Sequence, residues 1–396
     1  MISLLAACTP GPAVARPTGP AINVGAVISL TGSQANAGQM AKEGYLFCQD
    51  WINAKGGVTV QGVGHPLNID MMDDQSRPSL AAAAAEELIS QRHDTLLLGP
   101  TGDATTARAA PVAEQHQVPM LSSGASSDGI FNNHYHYLFG VMAPSSRQLQ
   151  GVIDMALAQN PKPQSVAFLF ASDSLSTAVA NATAGYAQAK GLNVVYGVSY
   201  PSGVNNVGAQ LGAVAGARPD LILEVGHTGE SVRTIQQAQQ MNIQPKLLGF
   251  SEGPETLGFT TTLHKAANFS VGTTQWTPAA RNRISYFLDS FHYALAYSAQ
   301  FGHLPDENAA AATAACLTLE VAIEQANSSQ PRWVRDALGV IDLNTFFGEI
   351  KFDDRGANSA KSMYVEQIQA GQTVLVWPPN VASARPRYPD PGWAKR

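Results

Sequence analysis

The sequence predicts an α/β protein of two doubly wound, Rossmann-like lobes, and three observations carry that expectation. Segments with strand and helix patterning alternate along the chain in two successive series of similar length. The 396 residues are too many for one ordinary core and enough for two. Within the first series, residues 95–126 spell out one complete β-α-β unit. A short apolar strand breaks at Gly99-Pro100-Thr101-Gly102-Asp103, enters an Ala-rich helix, and returns as a strand ending in Ser122-Ser123-Gly124-Ala125-Ser126. Both strands of a parallel unit end at the same sheet edge, so the two turns should emerge side by side where open α/β sheets bind ligands.

In chain order, residues 24–30, 67–72, 95–98 and 119–122 read as strands, separated by amphipathic or Ala-rich helices at 40–53, 80–92 and 103–116. The second series has strands at 165–170, 193–198, 220–225 and 246–249, alternating with helices near 145–159, 174–190, 207–216 and 229–241. A further strand at 270–274 leads into helices around 279–301, 307–325 and 332–338. Short strands follow at 349–352, 363–369 and 374–377. The Pro- and Arg-rich stretch 379–396 reads as a frayed tail.

Hydrophobic residues make up 45% of the chain and charged ones 14%, which excludes the disordered class. A net charge of −6, with residues 385–396 the only local basic run, argues against a nucleic-acid partner. No stretch reaches the roughly 20 apolar residues that span a bilayer. The start is unusual: Leu5-Ala6-Ala7-Cys8 resembles the bacterial lipobox, without the basic and apolar regions that precede it. Residues 1–21 are therefore expected to be a truncated lipoprotein signal with Cys8 as the lipidation site, followed by a Pro-rich tether. Cys48 and Cys316 lie in predicted helices without any Cys-x-x-Cys pair, and buried free thiols are the expected state. A disulfide remains open if both helices share a lobe in an exported protein.

Across residues 22 to 378 the sequence resembles the leucine/isoleucine/valine-type periplasmic binding proteins that serve ABC importers. The likeness is carried by Ile22-Asn23-Val24-Gly25-Ala26-Val27-Ile28-Ser29-Leu30-Thr31-Gly32, Gly38, Ile52-Asn53-Ala54-Lys55-Gly56-Gly57, the run 70–74, the 99–126 unit with Ala109-Ala110-Pro111-Val112-Ala113-Glu114, and Phe352-Asp353-Asp354-Arg355-Gly356, in that order. The resemblance implies the type I periplasmic-binding fold, with three crossover segments between the lobes. They should fall near Ala143, Thr273 and Thr345. Lobe one would then comprise 22–142 plus 274–345, lobe two 143–273 plus 346–378, and the tail 379–396.

The same resemblance implies where a ligand sits. Asp103 stands where the family usually has a serine and is expected to touch the ligand, favouring an ammonium, amide or hydroxyl; the bland alternative is a helix N-cap. In the partner turn the Gly124 amide and the Ser126 hydroxyl should grip the solute, although Ser-Ser-Gly is also common turn material. In lobe two the family's ligand positions fall on Leu175, His227 and the pair Ser251-Glu252. Leu175 departs from the usual aromatic and makes that wall greasier. Gln34 in the first loop is an amide donor beside Ala37, and Trp276 either lids the cleft or packs at the hinge.

One enzyme signal competes. Gly249-Phe250-Ser251-Glu252-Gly253 matches the nucleophile-elbow pattern, with Asp289 and His292 downstream, but Pro254 interrupts the long helix such an elbow needs. His134-Tyr135-His136 lacks a third ligand for a metal. The sequence thus points to a monomeric, cofactor-free solute receptor, periplasmic or cell-surface, that hands an amino acid or related solute to an ABC permease. A ligand sensor of the amide-binding type is the alternative.

Overall fold

A computed structural model describes residues 16–396, so Cys8 and the first part of the expected tether lie outside the described residues. The first lobe contains β1 (Ile22–Ile28), α1 (Ala35–Ala54), β2 (Val58–Val60), β3 (Val63–His65), β4 (Leu67–Asp73), α2 (Pro78–Ser90), β5 (Leu97–Leu98), α3 (Asp103–His116), β6 (Met120–Ser122), α4 (Asp128–Phe131) and β7 (Leu138–Gly140). Its main sheet is parallel throughout, in the order β4-β1-β5-β6-β7. The strands are nearly continuous apolar runs because helices cover both faces.

The second lobe continues with α5 (Gln150–Leu157), β8 (Ser165–Ala171), α6 (Ser174–Ala189), β9 (Asn193–Tyr200), α7 (Gly208–Gly216), β10 (Leu221–Val225), α8 (Thr228–Gln240), β11 (Leu247–Phe250), α9 (Leu257–Leu263) and β12 (Val271–Thr274). The chain then returns to lobe one as α10 (Ser290–Phe301), α11 (Glu307–Ala326), α12 (Pro331–Leu338) and a hairpin of β13 (Leu343–Thr345) and β14 (Gly348–Ile350). It ends in lobe two with β15 (Tyr364–Gln369) and β16 (Gln372–Trp377). Those two strands add antiparallel to β12 and complete a sheet in the order β16-β15-β12-β11-β10-β8-β9. Two doubly wound sheets joined by three crossings are therefore present.

The core of lobe one shows why its helices are rich in small residues. Gly44 of α1 packs on α11 so closely that a Cβ there would sit 2.3 Å from the Ala309 carbonyl oxygen. Ala309–Ala312, Ala314 and Ala315 are fully buried against it. At this seam Cys48 and Cys316, expected as free thiols, are joined in a disulfide, their Cα atoms 6.2 Å apart. Both helices belong to one lobe, which was the condition for pairing. Among the described residues no helix is long and apolar enough to cross a membrane.

Four expectations need correction. The helix expected over 279–301 starts only at Ser290, where Asp289 caps it by accepting from the His292 amide. The preceding segment is pinned instead across the β13-β14 turn, with Asn282 Nδ2 donating to the Phe346 carbonyl and Ser285 bonding Asn344. The helix expected over 145–159 divides into a 3-10 turn at Ser145–Arg147 and α5. The third crossing is not near Thr345: Phe346, Phe347 and Ile350 are fully buried in lobe one and Phe352 packs on Phe139, so the chain leaves only after Asn358. The asparagine's Nδ2 fixes that exit by donating to the Val141 and Glu349 carbonyls. Finally, 379–396 is no frayed tail. The Gln367 and Gln369 amides hold the Arg387 and Arg385 carbonyls, Trp393 Nε1 donates to Ile243, and the Arg396 side chain is buried, pairing with Asp390 and donating to the Ala266 carbonyl.

Candidate functional site

The turns after β5 and β6 do lie side by side at the carboxyl edge of lobe one. Their contact is so close that a Cβ on Gly124 would fall 1.8 Å from the Thr101 carbonyl oxygen, so only glycine fits. Ser122 is buried beneath, its Oγ accepting from the Gly124 amide at 3.3 Å and the Ala125 amide at 3.0 Å. The Gly124 amide is thus spent inside the turn. Asp103 is the first residue of α3, not its cap, which is Gly102. One carboxylate oxygen accepts from the Ser126 amide at 2.8 Å and the Ser127 amide at 3.0 Å, stapling the helix start to the neighbouring turn. Burial raises its pKa above the usual carboxylate value, against the opposing pull of those two amides. Gln34 lies over Gly102, its amide group within about 2.7 Å of where a Cβ would stand, and its Oε1 is enclosed without a partner.

The edge of lobe two is organised by charge. Asp173 caps α6 by accepting from the Ser176 amide and also takes the Ser202 hydroxyl. His227, at the end of β10, sits between Asp173 at 3.4 Å and Glu252 at 3.7 Å. Glu252, with Asp173 behind it, lifts the imidazole pKa to about 9 against a smaller desolvation effect, so the ring is cationic at neutral pH. Beneath this turn Glu224 is fully buried, bonded by the Tyr200 and Ser231 hydroxyls, and burial pushes its pKa to about 8.

Ser251 is no nucleophile. Its hydroxyl donates to the Gly226 carbonyl at 2.9 Å and accepts the Gly226 amide at 3.0 Å, tying β10 to β11. The nearby imidazole faces carboxylates rather than this oxygen, and α9 starts only at Leu257.

Between the two edges lies a cavity of about 350 Å³. Ser126 reaches it from lobe one, and Leu175, Ser251 and Glu252 from lobe two. Four of the expected residues therefore line one cavity. Asp103, Gly124 and Gln34 buttress the lobe-one edge, His227 adjoins through Glu252, and Trp276 is packed behind, edge-on to Tyr293 and Phe346. Sequence reasoning missed Gln148, Gln275, Glu255 and Glu307, which also line the cavity. Gln148 and Gln275 adjoin crossing segments, Glu255 sits in the turn between β11 and α9, and Glu307 opens α11, where a glutamate reads only as an ordinary helix-start residue.

The comparisons with known proteins agree with this fold. A family model described as periplasmic binding protein matches residues 21–373. The chain belongs to that family. Among its relatives, the Leu/Ile/Val-binding protein homolog 8 of Brucella abortus is 23% identical over 386 residues, covering 93% of each chain. Homolog 7 of the same organism is 25% identical over 393 residues, covering 95% of this chain and 96% of its own. In fold, a putative branched-chain amino acid ABC transporter protein from Silicibacter pomeroyi superposes with a TM-score of 0.80 at 18% identity, over 93% and 99% of the two chains. A leucine binding protein from Thermotoga maritima gives 0.71 at 21%, over 89% and 97%. The relatives are substrate-binding proteins, and this periplasmic binding protein is a binder, not an enzyme.

Proposed function

We propose that this chain is the extracytoplasmic receptor of an ABC importer and takes an amino acid or a related small amphipathic solute between its lobes. The observation that carries the reading is the cavity of about 350 Å³, lined from both sheet edges and within the roughly 300–1,000 Å³ range of small-molecule sites. Ser126 and Gln148 offer polar contacts, Leu175 and Met142 an apolar wall, and Glu252 and Glu255 a place for an ammonium. Relatives named for leucine, isoleucine and valine, and a neighbour solved with isoleucine, support an amphipathic solute. The disulfide fits an oxidising compartment, and Cys8 with its tether would anchor the receptor at a membrane surface.

Binding works by closure. Lobe one supplies prealigned groups, lobe two completes the pocket, and the ligand favours the closed state by its differential affinity for it. A thermal-shift screen against amino acids, amides, and aliphatic and aromatic acids tests this, since a ligand at 100 times its Kd adds about 2.7 kcal/mol of apparent stability. Substitution of Leu175 by aspartate should remove the response to the best solute. A response that survives this change would place the solute elsewhere.

A further inference from the structure

Behind the cleft a second cavity of about 520 Å³ opens, sharing Glu255, Thr256 and Glu307 with the first and walled on its far side by Trp276, Asp306 and Glu366. We propose that the solute carries a second, cationic group, an ammonium or guanidinium, which passes the Glu255–Glu307 partition and seats in this acidic chamber. The inference rests on the receptor reading and narrows its substrate class to a basic amino acid or a diamine.

An unpartnered carboxylate oxygen points to a cationic occupant. Glu255 Oε2 is enclosed and bonded to nothing, while its Oε1 accepts the Gly253 amide at 2.8 Å. Trp276, 3% exposed, closes the far wall of the chamber. Glu307 accepts the Thr274 hydroxyl and the Gln275 amide, both at 2.9 Å, and Glu366 is 6% exposed. Among the described residues no cation forms an ion pair with these carboxyl groups. Lys361, buried on the Phe347 ring, donates to the Phe347 carbonyl, and burial lowers its pKa to about 7 against the pull of Glu307, while His227 is held by Asp173 and Glu252. Buried carboxyl groups without cations resist ionisation: burial lifts Glu255 to about 8 and Glu366 to about 7, and raises Glu307. An entering cation would reverse that, restoring the charges and releasing protons.

L-Lysine and L-norleucine test the idea cleanly, because they differ by the terminal ammonium alone. Calorimetry on the full chain at pH 7.5 should find L-lysine, or L-arginine over its uncharged analogue L-citrulline, bound at least tenfold tighter. Binding should release protons, seen as a dependence of the apparent enthalpy on the buffer's ionisation enthalpy. Glu366→Gln should reduce the lysine-to-norleucine ratio toward one, and Trp276→Phe should reduce it less. Equal or tighter binding of the uncharged partner overturns the inference and leaves the receptor reading standing, as does an uncharged solute from the screen binding when neither basic amino acid does. Silence of every solute would overturn the receptor reading itself.

Discussion

The Asp103 carboxylate holds both amides of the Ser126-Ser127 turn, so removing it acts on the empty protein before any ligand arrives. A serine hydroxyl there is shorter and uncharged, and would strand two partly buried donors. Asp103→Ser should therefore lower the unfolding free energy of the ligand-free protein by about 1–3 kcal/mol, read from urea denaturation, whereas a residue serving merely as a cap would tolerate the change. Asp103→Asn keeps one acceptor and should recover part of the loss. His227 makes a second residue-scale case. Its pKa is raised from near 6.5 to about 9, so its contribution to stability is complete below about 6.5 and lost as pH rises through 9. The imidazole is half-exposed, which keeps the effect modest. The stability difference between wild type and His227→Gln should shrink between pH 7 and 9.5, and NMR titration of the ring should give a midpoint near 9. An ordinary midpoint near 6.5 would mean that Asp173 and Glu252 do not hold the charge.

Among the elements, those with a strong local signal were legible and those made by distant contacts were not. The bounds of α3 can be read directly, since Gly102-Asp103 opens it and Gln117 turns left-handed just past His116. The hairpin of β2 and β3 escapes because its strands are only three residues long, too short for a pattern to stand out. Residues 279–289 have helix-compatible composition, yet hydrogen bonds to 344 and 346 decide their path. The tail looks polar and disposable in sequence, while its anchors, at Ile243, Ala266 and Gln367, are more than a hundred residues away from some of their partners. The link between α1 and α11 belongs to the same class: nothing local announces that Cys48 meets Cys316 across a separation of 268 residues. Because a bond closing so long a loop restricts the unfolded chain strongly, replacing both cysteines by alanine should cost about 2–5 kcal/mol in denaturant unfolding. A double variant as stable as wild type would show that Ala-on-Ala packing along the seam suffices.

At the scale of the whole molecule, the three crossing segments set how the two lobes are joined. The three crossing segments are bonded to one another: the Gln275 side chain accepts the Ala143 amide at 3.0 Å and donates to its carbonyl, and Arg147 donates to the Ser359 and Lys361 carbonyls. Asp128 of lobe one clasps Ser145 and Ser146 just where the first segment enters lobe two. Every ion pair among the described residues stays within one lobe, so away from the hinge no charge pair holds the cleft shut. The two α/β series were legible because each β-α-β unit is a local pattern, but the strand order and the acidic chamber were not, since Glu255, Glu307 and Glu366 come from three separate passages of the chain. This arrangement predicts that a bound solute, not preformed contacts, sets the closed population. To move the lobes from mostly open to mostly closed a ligand must favour the closed state by about 5.5 kcal/mol. Small-angle scattering should then show the radius of gyration falling on saturation, along the same isotherm that calorimetry measures. Saturable binding with an unchanged radius would mean that the lobes are fixed, and that the solute enters a cleft already closed.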